Sequence, residues 1–166
     1  GAAVNGQTAS FNQDISTKPV IVGAGTSLQT SYNAWNMENC GRFGRFNDDI
    51  NTSFDALGTF HNNRHFNQPI GNWQINTSSA DIINGLKVPS MRSMFTYNSV
   101  FNQPLSESIV TVGSKTYTAW DVRNIANFRK MFSHNRVFNQ DISNWNMSSS
   151  RNLSNMFTLA ESFDKD

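Results

Sequence analysis

The chain has a single cysteine, Cys40, so no internal disulfide can staple it. Charge is scarce: 13 basic and 12 acidic side chains in 166 residues leave a net charge of +1. That balance is too near neutral for a partner held by electrostatics alone, such as nucleic acid or an anionic membrane, and the arginines are scattered rather than clustered. No apolar run approaches the roughly 20 residues of a spanning helix. Leucine is rare, 6 residues against 13 Phe, which excludes an ordinary Leu-dominated core. No basic-then-apolar leader and no initiator Met stand at the start, so Gly1 is expected to be a processed or trimmed end. G-x-S-x-G, H-E-x-x-H and phosphate-loop strings are missing as well, and no catalytic, metal or cofactor residues are assigned. What is plentiful is the polar uncharged set: 23 Asn, 20 Ser and 12 Thr. With 38 Leu, Ile, Val and Phe residues the chain is expected to fold, under a surface of amides and hydroxyls.

The second abundance is repetition. FNQDI or a close variant starts at Phe11, Phe46, Phe66, Phe101 and Phe138, and Phe residues pair at a spacing of six as Phe60/Phe66, Phe95/Phe101, Phe132/Phe138 and Phe157/Phe163. Trp120 and Trp145 lie 25 apart, and each precedes the first Phe of a pair by twelve, so the undecorated repeat is 25 residues. Its cleanest copy runs over 138–162. There Ile142, Trp145 and Met147 follow I-x-x-W-x-M, matched by Ile70, Trp73 and Ile75, which has the L-x-x-L-x-L spacing of a leucine-rich-repeat strand. Leu153, Met156 and Phe157, with Ile125, Phe128, Met131 and Phe132, have the i, i+3, i+4 spacing of a short helix. These spacings predict an α/β fold: a leucine-rich-repeat-like solenoid of ~25-residue coils, each a short strand near 144–147 plus a short helix or turn, with inserted β-hairpin loops. The expected organisation is one domain over 1–166, with about five repeats starting near 11, 46, 66, 101 and 138 and a partial repeat from 163. No polar capping repeat is visible at either end, so the segment is expected to belong to a longer array or to have its ends covered by partners.

Insertions break the 25-residue spacing. Residues 106–119 read as a projecting hairpin turning at Gly113-Ser114, and 16–34 carry a related V-G step followed by Thr and Tyr. A third insertion lies within 76–90, and 36–59 do not align uniquely. Loops on a repeating scaffold are where recognition resides. The candidate contact residues are therefore Val110, Val112, Lys115 and Tyr117 in one insertion, Val22, Leu28 and Tyr32 in another, and Ile82, Ile83 and Leu86 in the third. The recurring Asn12, Asn67, Asn102 and Asn139 are expected to form a ladder in which each amide serves neighbouring coils, and Trp73, Trp120 and Trp145 a packed row. An aromatic platform for sugar or protein is the competing use of those indoles.

The remaining polar clusters point to little chemistry. His61 and His65 are four apart, but in a loop rather than on a helix, and Asp48, Asp49 and Asp55 lack the cation-loop pattern. Gly23-Ala24-Gly25 reads as a hairpin turn, and Cys40 occupies an apolar repeat position, as a buried thiol. Asn51, Asn76, Asn146 and Asn152 begin N-x-S strings, a frequent accident in so Asn- and Ser-rich a chain.

The F-N-Q-D-I-S-N-W-N-M-S…N-M-F string resembles BspA-type surface-protein repeats, once listed as a domain of unknown function in Mycoplasma lipoproteins. The likeness is close over 66–75, 94–105 and 120–163 and weak over 36–59. The resemblance implies a relative of leucine-rich repeats exposed at a surface, contacting proteins, with no catalytic residues to carry over. The expected function is thus a non-enzymatic, surface-exposed interaction or adhesion module, extracellular or on the cell surface, without cofactor. Its expected partners are host-surface proteins or neighbouring subunits, with self-association through the solenoid ends. The alternative is a structural subunit of a virion or surface appendage.

Overall fold

Along residues 91–98 two sets of backbone hydrogen bonds alternate in a computed structural model that describes residues 13–22, 30–34, 58–75, 81–84 and 86–165. Every second N–H closes a tight turn on its own segment: Met94 on the Met91 carbonyl (3.2 Å), Thr96 on Ser93 (3.1 Å) and Asn98 on Phe95 (3.0 Å). The intervening N–H groups leave the segment and donate to the next one, Ser93 to Arg129 (2.9 Å), Phe95 to Met131 (2.8 Å) and Tyr97 to Ser133 (2.9 Å). The same alternation joins residues 60–62 to 94–96 and 128–134 to 152–158. All these interlayer bonds run one way, from an N–H of the earlier segment to a carbonyl of the later one. Over these segments the chain therefore stacks layers made of consecutive turns, whose N–H groups find carbonyls without helix or sheet.

The expected α/β leucine-rich-repeat-like solenoid is overturned by this arrangement. Among the described residues there is no helix, and the only strands form three separate two-stranded antiparallel hairpins. The predicted helix through Ile125, Phe128, Met131, Phe132, Leu153, Met156 and Phe157 is a run of turns. Its third residues stand in the left-handed region: Lys130 (φ 58°), His134 (58°), Asn155 (59°) and Leu159 (56°), as do Ser93 and Tyr97. A left-handed residue every four positions prevents helix propagation. The predicted strand near Asn144 and Met147 is absent too, because the Trp145 N–H closes a turn on the Ile142 carbonyl (3.0 Å) and Ser150 on Met147 (2.9 Å). Between layers, among the described residues, the isolated bridges Ser90–Asn127 and Asn127–Asn152 are the sheet-like pairings.

What stabilises such costly turns is ring burial. Phe60, Phe95, Phe132 and Phe157 form one row at 5.5 Å steps with interplanar angles of 13°, 5° and 6°. Phe66, Phe101, Phe138 and Phe163 form a second at 5.9, 6.3 and 6.0 Å. Within each layer the two Phe rings lie face to face, 3.8 to 4.1 Å apart. A non-glycine left-handed residue costs roughly 1–2 kcal/mol, whereas each buried Phe contributes about 1.5–3 kcal/mol, so a layer with two rings outweighs its strain. Trp73, Trp120 and Trp145 lie beside these rows, and each indole N–H donates to a carbonyl of a preceding layer: Ile15 (2.9 Å), Ile70 (2.8 Å) and Leu105 (2.8 Å).

Close layer spacing fixes Gly58. A Cβ there would lie 2.0 Å from the Ser93 carbonyl oxygen and 2.7 Å from its carbon, both backbone atoms that cannot swing aside. Gly58→Ala is expected to destabilise the fold by about 2 kcal/mol, read from urea unfolding.

The hairpins are β1 (Lys18–Val22) with β2 (Thr30–Ala34), β3 (Asp81–Ile83) with β4 (Leu86–Val88), and β5 (Ser108–Val112) with β6 (Lys115–Ala119). In the last, Val112 faces Lys115 across the two-residue turn Gly113-Ser114, with Gly113 at φ 62°. The first has the equivalent register, Val20 opposite Tyr32 as Val110 is opposite Tyr117.

Candidate functional site

Strand alternation divides the β5–β6 hairpin into two faces. Val110, Val112, Tyr117 and Ala119 point into the layered core, where Val112, Tyr117 and Ala119 are buried and Val110 is partly so. The hairpin is therefore seated rather than projecting, and Val112 and Tyr117, expected as contact residues, are core residues because the register turns them inward. Val110 packs against the core beside them, and the Lys115 ammonium lies 5.9 Å from the Tyr117 ring centroid. Tyr117 donates its hydroxyl to the Asn72 carbonyl (2.5 Å), and burial raises its pKa. The outward face consists of Ile109, Thr111, Thr116 and Thr118. Ile109 is 78% exposed, and the Thr111 and Thr116 hydroxyls are hydrogen-bonded across the pair at 2.9 Å. It is an uncharged face of β-branched side chains on a fixed base.

The base is held by asparagines that the repeat comparison did not single out. Glu107, just before β5, donates its N–H to Asn144 Oδ1 (3.2 Å) and accepts from Asn144 Nδ2 (2.8 Å). Thr17, just before β1, is clamped in the same way by Asn72, at 3.1 and 2.9 Å. Each clamp is the Asn of an Asn-Trp step, whereas the β1–β2 and β5–β6 hairpins run into Ala-Trp at that point. The Asn-Trp versus Ala-Trp contrast was the available signal. Charges at the two roots are local. The Lys18 ammonium, together with Ser16, lowers the Asp14 carboxyl to about 2. The Ser143 N–H lowers Asp141, and Asp121 raises Arg123, which also stands 4.0 Å from Glu107.

Other expected contact residues are spread. Leu86 is exposed and Ile83 half-buried on the β3–β4 hairpin. Backbone register alone places Val22, Tyr32 and Ile82 in β1, β2 and β3. Leu28 and Asn12 lie outside the described residues, as do Cys40, Gly23-Ala24-Gly25 and the aspartates at 48, 49 and 55.

The asparagines after the Phe residues run along an edge of the stack. Asn67 Oδ1 accepts the Asn102 N–H (2.9 Å) and Gln103 Nε2 (3.1 Å), and Asn102 Oδ1 accepts the Asn139 N–H (2.9 Å) and Gln140 Nε2 (3.0 Å). This row is exposed to half-buried rather than interior. Among the described residues the fully buried asparagines are Asn63, Asn98 and Asn135, not identified from the repeat. Asn98 donates to the Phe66 carbonyl (3.2 Å) and accepts from the Phe101 N–H (3.1 Å) and the Val100 N–H (3.3 Å), and Asn135 donates to the Phe101 carbonyl (3.2 Å). Their signal was an Asn three residues after the first Phe in three of the four pairs, Ala160 standing there in the fourth.

A groove of about 350 Å³ is lined by Ser16, Pro69, Gly71, Asn72 and Pro104, with no ionisable side chain. His61 meets Tyr97 edge to face at 6.0 Å between centroids, and Tyr97 lies tilted against His134 at 4.3 Å. Among the described residues no three His, Cys, Asp or Glu side chains are grouped to hold a metal ion. None of the described helices is long and apolar enough to cross a membrane, the described residues having no helix at all.

Comparison with known proteins gives one family. A family model described as Mycoplasma protein of unknown function, DUF285, matches residues 3–108 and, a second time, 84–166. No curated protein and no solved structure matches the chain.

Proposed function

The chain belongs to the DUF285 family of Mycoplasma proteins of unknown function, and from that premise we propose that it is a non-enzymatic protein-interaction module displayed on an outer surface. The observation that carries the reading is the two-faced β5–β6 hairpin. Its inner face is locked into the core through Tyr117, Val112 and Ala119, while Ile109, with 78% of its surface exposed, stands outward among threonines. An exposed Ile on a pre-organised strand is suited to a protein partner, because little ordering entropy is lost when it is covered. The likeness of the Phe-Asn-Gln repeats to BspA-type surface proteins supports display on a surface and contact with other proteins.

Deleting the hairpin would remove core side chains, so the test is a surface substitution. Ile109→Asp is expected to weaken retention of the protein on the outer surface that it natively contacts by at least about tenfold, equivalent to about 1.4 kcal/mol. Its thermal unfolding should match the parent. Unchanged retention would remove the hairpin face from the interaction.

A further inference from the structure

Between the paired Phe residues of three successive layers run the strips 61–65, 96–100 and 133–137, and their stacking gathers cations that lie far apart in the sequence. The two Phe rows bound each strip and step by 5.5 and 5.5 Å on one side and by 5.9 and 6.3 Å on the other, so equivalent residues stand one above another. The strips hold Arg64, Arg136 and all three histidines of the chain, His61, His65 and His134, and not one carboxylate. Arg64 is exposed and meets no acidic side chain among the described residues. Arg136 is also exposed, and Glu161, at the equivalent position one layer on, reaches it at 3.3 Å. The His134 Nδ1 is engaged by the Ser133 hydroxyl at 2.9 Å, which leaves Nε2 for an anion. Between the two arginines the middle strip is apolar: Tyr97 and Val100 are 44% and 36% exposed, and Val137, next to Arg136, is 38% exposed. Tyr97 and His134 hold left-handed backbone, φ 57° and 58°, where the preceding layer has Asn62. A half-exposed tyrosine at a strained position points to a role outside folding.

Such an edge suits an anion that also brings apolar side chains. Single-stranded nucleic acid needs open aromatic faces for its bases, but the Tyr97 ring has His134 at 4.3 Å and His61 at 6.0 Å. A sulfated glycan has no apolar side chain to cover Val100 and Val137. An extended protein segment supplies both kinds of group, and its geometry fits. Alternate side chains of a strand lie about 6.6–6.8 Å apart, close to the step between layers, so a strand laid across the layers presents residues i, i+2 and i+4 to successive strips. Carboxylates at i and i+4 then stand over Arg64 and Arg136, with an apolar residue at i+2 over Tyr97 and Val100. We propose that this edge binds an extended acidic segment of a partner protein with that alternation. The inference goes beyond the hairpin reading and does not depend on it.

Isothermal titration of the whole chain with the end-blocked peptide Glu-Thr-Val-Thr-Glu-Thr-Val-Thr-Glu tests this. The parent is expected to bind it at least about tenfold more tightly than the same peptide with Gln for Glu, or than one of identical composition with its Glu residues adjacent. The double variant Arg64→Glu/Arg136→Glu should lose at least about tenfold in affinity while keeping the parent's thermal unfolding. Should loss of the Arg136–Glu161 pair disturb the fold, Tyr97→Asn places at 97 the residue type that already holds this backbone conformation at 62, and is expected to weaken binding by at least about threefold. A parent that does not distinguish the peptides, folded variants that bind as the parent does, or tighter binding of a heparin fragment or an oligothymidylate than of the acidic peptide would overturn the proposal. An Ile109→Asp protein that loses surface retention but still binds the peptide would separate this edge from the hairpin face.

Discussion

Phe132→Ala lowers the unfolding free energy by about 3–5 kcal/mol. The Phe132 ring is fully buried and stacked in three directions, on Phe95 at 5.5 Å, on Phe157 at 5.5 Å and on Phe138 at 4.0 Å, with Trp145 tilted against it at 6.5 Å. Its removal opens a cavity that its neighbours fill poorly, because the Phe95 and Phe132 N–H groups fix the adjacent layers through the Met131 and Met156 carbonyls. Phe163→Ala at the end of the other row is the control. That ring is partly buried and has no ring beyond it among the described residues, so its loss is expected to cost roughly 1–2 kcal/mol. Urea unfolding of both variants measures the difference, and equal losses would mean that stacking between layers contributes little.

Asn98→Ala is expected to cost about 3 kcal/mol, out of proportion to the few atoms removed. The side chain is inaccessible to solvent and serves the Phe66 carbonyl and the Val100 and Phe101 N–H groups, so its removal takes polar partners from a site that water does not reach. Asn102→Ala removes the acceptor of the Asn139 N–H and of Gln140 Nε2 at a half-buried edge, where solvent replaces the lost bonds, and is expected to cost about 1 kcal/mol. The ratio between the two variants, from the same denaturant series, distinguishes an interior polar anchor from an edge ladder.

These two sites show what the sequence made legible. The spacing of six between paired Phe residues, and its recurrence, translated directly into the two aromatic rows, and the V-G-S-K step marked the turn at Gly113. Layer conformation was not legible, for a physical reason. A ribbon of consecutive turns buries Phe128, Met131, Phe132 and Asn135, the same i, i+3, i+4, i+7 pattern that an amphipathic helix would bury. The feature that separates the two is a left-handed residue in each turn, usually announced by Gly or Asn. Here Asn62 and Asn155 are such signals, but Ser93, Tyr97, Lys130, His134 and Leu159 hold the same conformation without announcing it. The I-x-x-W-x-M spacing misled in the same manner, since a turn from Ile142 to Trp145 buries the same Trp as a strand would.

Of the candidate site, the hairpin's place was legible and its polarity was not. Alternation allows either set of side chains to face inward until the register is anchored. The anchor is tertiary: the Tyr117 hydroxyl on the Asn72 carbonyl, and Asn144 gripping Glu107 from the following layer. The inward set is thus Val110, Val112 and Tyr117, which leaves Ile109 outward.

Scalar couplings measured by NMR across the hydrogen bonds themselves test the layered-turn architecture most directly. The amide nitrogen of Phe132 should couple to the carbonyl carbon of Met156, Phe95 to Met131, and Phe60 to Met94, each reaching one layer ahead. Couplings instead from Phe132 to the carbonyl of Phe128, four residues back within its own segment, would show a helix there and contradict the account.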